Sequence, residues 1–212
     1  MIGWRARLGF LLPPGNPTVE PEMIVLAPQG VSLHFRATGS LEGQDERNRM
    51  MVDNIDSSIE LLAMVNPDVI VIAHTATSYS LGRQGESDLL ARLQRSTGKR
   101  VVTAFGSVVR ALQRLDVRRL SLGAPYSPET TLQGKGHLEA HGFEVVSFTN
   151  LQGVTNIYDE TAERAYGLAR LADKEDAEAV FLSGTGLPTL PVLELLEQDL
   201  GKPVISSASA MM

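Results

Sequence analysis

The sequence predicts an α/β protein made of two similar halves, each a parallel sheet wrapped by helices, with the active site in the cleft between them. Three observations carry that expectation. Short apolar, β-branched runs alternate with longer amphipathic segments along the chain, the pattern of βαβ units. The runs are continuously apolar rather than alternating, as strands covered on both faces must be. Two segments also recur at nearly one spacing: Arg7-Leu8-Gly9-Phe10-Leu11-Leu12-Pro13 resembles Arg119-Leu120-Ser121-Leu122-Gly123-Ala124-Pro125, and Asp68-Val69-Ile70-Val71-Ile72-Ala73-His74-Thr75 resembles Glu178-Ala179-Val180-Phe181-Leu182-Ser183-Gly184-Thr185.

The elements follow in order. Leu8 to Leu12 is the first expected strand; Pro13-Pro14-Gly15 ends it. Asn16-Pro17 then opens a helix over 18–27, because Asn caps well and Pro suits a first turn. A strand at Ser32 to Ala37 leads to a helical pattern over 44–65, a strand at Val69 to Ala73 to a helix over 87–95, and a strand at Arg100 to Thr103 to a helix over 107–115. The second half runs through strands at Leu120 to Gly123, Glu144 to Phe148, Ala179 to Leu182 and Val204 to Ser206, with helices over 130–140, 161–172 and 191–200 between them. The halves are expected over 1–105 and 106–202, with 203–212 returning to complete the first. No linker rich in Pro, Gly or Ser separates them, so they should pack closely.

Composition removes several function classes. At 212 residues, 43% hydrophobic and 21% charged, the chain can bury a proper core. The net charge of -6 is spread out, without the basic stripe of a nucleic-acid binder; Arg118-Arg119 reads as a solvated strand edge. No apolar stretch approaches the roughly 18–20 residues that span a bilayer. The charges of Met1 to Arg7 precede a short apolar run that meets Pro13-Pro14, unlike a signal peptide. A soluble, cytoplasmic protein with no nucleic-acid or membrane partner is expected. The chain contains no cysteine, which excludes disulfides, a thiolate zinc site and a cysteine nucleophile.

Ligands of open α/β sheets bind beyond the carboxyl ends of the strands, so the residues after each strand are the candidates. These are Pro13 to Glu20, His74 to Tyr79, Ala124 to Ser127 and Ser183 to Thr189. They hold few charges but many hydroxyls, amides and backbone N–H groups, a lining suited to a carboxylate. His74 stands out, because histidine can carry a proton near neutral pH; a structural histidine bonded to a backbone carbonyl is the alternative. Asn16 is also readable as a helix cap, Thr185 between Gly184 and Gly186 as a tight turn, and Tyr126 as packing at a strand end. His34 lies within a strand pattern. His137 and His141, four apart on one helix, have no Glu in an HExxH arrangement and read as a solvated face, so no metal site is expected. Glu20 and Glu22 sit at a helix start, where they favour its dipole. Dinucleotide, phosphate-loop and Gly-x-Ser-x-Gly fingerprints are absent from the sequence.

The segment Leu11 to Met23, LLPPGNPTVEPEM, resembles the opening motif of the maleate cis-trans isomerases, and Pro13-Pro14 is similar to the opening of the arylmalonate decarboxylases. The resemblance continues through Ile72-Ala73-His74-Thr75, Ala124-Pro125-Tyr126, Val154-Thr155-Asn156, Leu182 to Pro191 and Gly201 to Ala208. It identifies the chain as a member of the Asp/Glu racemase superfamily, whose relatives continue into one more helix. The resemblance implies an enzyme, likewise a homodimer, that works without metal or organic cofactor. It implies that Asn16, Tyr126 and Asn156 hold substrate carboxylates, with Thr75, Gly184 and Thr185 in anion-holding loops. It also places His74 and Gly184 at the positions of that group's two catalytic cysteines. With both thiols gone, addition to a double bond has no nucleophile, while His74 remains as a proton carrier and Tyr126 as its catalytic companion. The expected function is therefore a lyase or isomerase acting on a small carboxylate or dicarboxylate by proton transfer. A non-catalytic carboxylate-binding protein, and a hydrolase or hydratase using His74 to activate water, remain the alternatives.

Overall fold

A computed structural model describes residues 2–38 and 53–212. Among the described residues, eight strands form two parallel sheets. The first holds β1 (Ala6–Leu12), β2 (Val31–Ala37), β3 (Val69–Ile72) and β4 (Arg100–Thr103) in the order β2-β1-β3-β4. The second holds β5 (Arg119–Ala124), β6 (Glu144–Asn150), β7 (Ala179–Leu182) and β8 (Val204–Ser206) in the matching order β6-β5-β7-β8. Each half thus places its first strand between its second and third. Phe10 of β1 pairs with Phe35 and with Val71, and Leu122 of β5 with Phe148 and with Phe181. The central strands are buried along their carboxyl halves, which is why their runs are apolar on both faces.

The described helices are α1 (Val19–Leu26), α2 (Ile55–Ala63), α3 (Thr75–Thr97), α4 (Ala104–Arg114), α5 (Pro128–Ala140), α6 (Ala162–Ala172) and α7 (Leu190–Leu200), with a short 3-10 turn at Ile157–Asp159 and another at Ser209–Met211. The helix expected over 44–65 lies partly outside the described residues; its described part is α2. None of the described helices is long and apolar enough to cross a membrane.

Two boundaries differ from expectation. Helix α3 begins at Thr75, twelve residues before the expected start at 87, and is broken at Gly82, where φ is 66° and ψ 175°. Its first turns, Thr-Ala-Thr-Ser-Tyr-Ser, are polar rather than amphipathic and so hid the helix. The return of 203–212 to the first half is corrected in its strand portion: β8 pairs with β7 in the second sheet. Beyond it the chain does cross over, and Ala208 and Met211 pack with Phe10, Val19 and Met23 of the first half. A boundary between 105 and 106 would fall inside the first turn of α4, which starts directly from β4 with the Thr103 side chain accepting from the Gly106 N–H at 2.8 Å.

The two halves share a core. Tyr79, Phe105 and Val108 pack in one cluster with Leu122, Phe181 and Ile205. A buried carboxylate adds a polar tie. Glu22 of α1 accepts from the backbone N–H groups of Thr189 and Leu190, at 2.8 and 2.9 Å, at the start of α7. Glu22 keeps its expected place in the first turn of its own helix and serves the start of another as well. Glu22 Oε2 is buried without a hydrogen-bond partner. Burial pushes its carboxyl above the ordinary 4.5, outweighing the two N–H donors that pull it down. The folded state therefore holds this proton more tightly than the unfolded chain, and stability is lost as pH rises from 4.5 through the raised value. Glu22→Gln keeps an oxygen acceptor for both N–H groups without the charge. Urea midpoints of the two proteins should coincide near pH 4, and the variant should be the more stable at pH 7; a variant weaker at pH 7 would show that the charge is worth more than its desolvation.

Candidate active site

The carboxyl ends of β1, β3, β5, β7 and β8 meet at one seam, sewn by hydrogen bonds between the halves. The Thr185 hydroxyl donates to the Ala73 carbonyl at 2.9 Å, the Thr18 hydroxyl to the Gly186 carbonyl at 3.0 Å, and Asn16 Nδ2 to the Thr185 carbonyl at 3.4 Å. Ser207, just after β8, accepts from the Thr75 hydroxyl at 2.9 Å and from the Gly184 N–H at 3.1 Å. The Tyr126 hydroxyl is near enough to the Ser183 and Thr75 side chains to feel them, and the Tyr79 hydroxyl lies 2.8 Å from Ser183 Oγ. Burial pushes both phenols up, Tyr126 in spite of its hydroxyl partners. Both remain neutral and able to donate.

The candidates from sequence fall in this one region. Asn16 both caps and reaches the seam: its Oδ1 accepts from the N–H groups of Thr18 and Val19, each at 2.9 Å, while Nδ2 contacts the second half. Asn156 accepts from the Tyr158 N–H at 3.4 Å and opens the 3-10 turn that lies over the Gly184–Gly186 segment. His74 is buried and stands at the N-cap of α3, its Nδ1 2.8 Å from Thr77 Oγ1. That partner is the hydroxyl of a residue in the first turn of the same helix. Because Thr75 and Thr77 lie in the first turn of a helix, the N–H groups beside His74 carry the positive end of its dipole. A recess of about 330 Å³ opens beside Tyr126, between Pro125–Thr130 and Asn150–Val154. His34 lies apart on β2, with Nε2 3.2 Å from the Ser32 hydroxyl.

Ser183 and Tyr79 lie within the candidate strand-end segments and join the seam, while Ser207 lies outside them. Ser207 follows a strand end like the others, and inspecting every strand end would have found it. His137 and His141 also need correction as a solvated face: His137 is only 5% exposed and pairs with buried Glu86 of α3 at 3.2 Å.

Residues 8–212 match the arylmalonate decarboxylase family. The chain belongs to that family. It is 26% identical to the maleate isomerase of Nocardia farcinica, over 96% of this chain and 86% of the relative. Identity to the arylmalonate decarboxylase of Bordetella bronchiseptica is 24%, over the same shares of 96% and 86%. A solved structure of the Nocardia farcinica maleate cis-trans isomerase, a mutant with a covalently bound succinylcysteine intermediate, is similar with a TM-score of 0.88 at 24% identity, covering 97% of this chain and 89% of that one. The family thus includes isomerases and decarboxylases, and this member has no cysteine anywhere.

Gly184 is fixed in its place by two constraints. Its φ of 97° is one that side chains rarely adopt, and a Cβ there would lie 2.9 Å from Pro125 Cγ and 3.0 Å from Ile157 Cδ1. Gly142 offers the control, with a φ of 90° and no atom within 4 Å of the same imaginary carbon. Both Gly→Ala changes incur backbone strain of about 1–3 kcal/mol. Gly184→Ala should cost at least about 1 kcal/mol more by overpacking, measured as the difference in urea unfolding free energies; equal losses would show that Pro125 and Ile157 yield freely.

Proposed function

We propose that this family member is an isomerase or decarboxylase of a small carboxylate or dicarboxylate that works by proton transfer, without a thiol and without a cofactor. The observation that carries the reading is the seam itself. Neutral donors from both halves, with the N-terminus of α3, converge beside a buried histidine at the carboxyl ends of the strands. Asn16, Tyr126 and Asn156 bind carboxylates in this reading, and Thr75, Gly184 and Thr185 complete the anion pocket, those that now bond across the seam exchanging those partners for the anion. Such donors hold an anion without a cation partner, and fixed dipoles favour the extra charge of an enediolate over the ground state.

His74 takes the role of general acid or base. In decarboxylation the bond between the α-carbon and the leaving carboxylate breaks, its electron pair stays on the enediolate, and the histidine proton goes to carbon as carbon dioxide departs. In isomerisation by proton transfer the same nitrogen removes and returns a proton. Thiol addition of the kind trapped as succinylcysteine in the Nocardia farcinica enzyme has no residue to perform it here. We place His74 and Gly184 where that enzyme group carries its two cysteines; the crowding around Gly184 leaves proton delivery to the His74 side of the substrate.

The crowded, side-chain-free second position also favours one rival, a carboxylate-binding protein without turnover. One screen separates them: mono- and dicarboxylates incubated with the protein in deuterated water, read by product identity and site of deuterium. His74→Ala should then lower turnover of the substrate so found by about 100-fold or more, while its binding by calorimetry changes little. Turnover that survives the substitution removes His74 from the mechanism. Binding without turnover across the screen favours the rival, and labelled solvent oxygen in the product would assign hydrolysis or hydration instead.

A further inference from the structure

Away from the strand ends, α3 and α5 pack against one another and bring three ligand-type side chains together. His137 and His141 stand one turn apart on α5, and Glu86 projects from α3. One ligand atom from each residue lies within 4.8 Å of the other two. Glu86 Oε2 and His137 Nε2 are 3.2 Å apart, both residues buried, with His141 partly buried beside them. We propose that Glu86, His137 and His141 form a binding site for one divalent transition-metal ion of the zinc class, with water from the His141 side as a further ligand.

Four features support it. The donor set, two imidazoles and a carboxylate, is one that borderline ions such as Zn²⁺ prefer. Histidines four residues apart share a helix face. Bonds of about 2.0–2.1 Å in a tetrahedral site put neighbouring ligand atoms about 3.3 Å apart, close to the Glu86–His137 separation already present. The third ligand atom is no more than 4.8 Å from the other two. The surroundings also fix the ligands as metal sites require. His141 Nδ1 lies 2.9 Å from the His137 carbonyl; a carbonyl only accepts, so the proton sits on Nδ1 and the lone pair on Nε2. Glu86 Oε1 accepts from the Ser78 hydroxyl at 2.7 Å and from the Thr103 hydroxyl, which leaves Oε2 turned to His137.

The local charge suits a cation. Burial alone would raise the Glu86 carboxyl, but hydrogen bonds from His137, Thr103 and Ser78 outweigh it and hold it below the usual range, so it stays an anion. The Phe105 ring covers the pair, its centroid 4.4 Å from that of His137 and 5.3 Å from that of His141. One wall is therefore dry while the His141 side admits the ion. Metal binding takes the place of the Glu86–His137 hydrogen bond and ties an element of the first half to one of the second. Tyr79, whose ring centroid is 6.0 Å from that of His137, separates the cluster from the seam. The ion's role is to clamp the two helices, and none of the proposed proton chemistry uses it.

The test uses the full chain stripped with chelator and then titrated with Zn²⁺ and with Co²⁺. Expected are about one equivalent bound per chain and a thermal midpoint that climbs with free metal as linkage requires, with the visible absorption of a low-coordinate Co²⁺ site. His141→Ala, at the partly exposed position, should keep the metal-free midpoint but lose about 100-fold in metal affinity and the metal-dependent rise. Glu86→Gln should lose the Co²⁺ spectrum as well. No uptake by the stripped protein at millimolar Zn²⁺, or uptake unchanged in His141→Ala, would overturn the proposal. Neither outcome bears on the carboxylate chemistry, which the deuterium screen reads separately.

Discussion

The structure depends on one seam, where the β7 strand end of the second half is held by side chains and carbonyls of the first. A parallel sheet leaves strand carboxyl ends and helix N-termini with polar groups that no ladder satisfies. Two such sheets bring two sets of these groups together, and burying them unpaired would cost roughly 1–3 kcal/mol each. Here each half supplies what the other lacks. Thr185 satisfies the Ala73 carbonyl, Thr18 the Gly186 carbonyl, and Glu22 the first N–H groups of α7. Closing the core and assembling the seam are thus the same event. That is why the hydrophobic cluster containing Tyr79 and Phe105 extends without a break to Phe181 and Ile205.

The seam also sets the electrostatic character of the site. Its described side chains are hydroxyls, amides, a histidine and two phenols kept neutral by burial. An anion entering such a place exchanges hydration for fixed dipoles rather than for a salt bridge. Fixed dipoles need no reorganisation when charge moves from a carboxylate onto an adjacent carbon. Glu22 contributes to the frame and not to the pocket floor: its Oε1 is spent on Thr189 and Leu190.

The described strands were legible in the sequence: the inner ones as apolar runs covered on both faces, and the partly exposed edge strands β2 and β6 by their place in the alternation of strand and helix. Their partners were not legible. Val204 to Ser206 could join either sheet by composition, and only the register with Val180 to Leu182 decides it. The first turns of α3 were lost for a related reason: Thr75, Thr77 and Ser78 are buried with polar partners, Ser207, His74 and Glu86, and not along an apolar stripe. The residues that build the seam follow strand ends, which is why Asn16, Thr75, Tyr126 and Thr185 stand out in the sequence; Ser207 follows the shortest strand, β8, whose three residues give the weakest pattern. His137 and His141 looked solvated because helical spacing reports one face of one helix. Glu86, 51 residues earlier in sequence, is supplied by packing.

On the proposed reading, substrate class and reaction belong to different layers of the molecule, and this explains how the family's thiols could vanish here. Carboxylate binding comes from backbone N–H groups, hydroxyls and a helix terminus whose positions are dictated by closing the seam. Removing them would unfold the site. A nucleophile is one side chain, and its loss leaves the frame intact. Gly184 goes further than simple loss, since Pro125 and Ile157 fill the volume that a side chain would need. Pro125 precedes Tyr126, so reopening that volume would shift a seam residue as well. The remaining reactive group, His74, is anchored at the start of α3 by Thr77, on the first-half side of the substrate. Proton transfer from that side is the chemistry this frame leaves in reach.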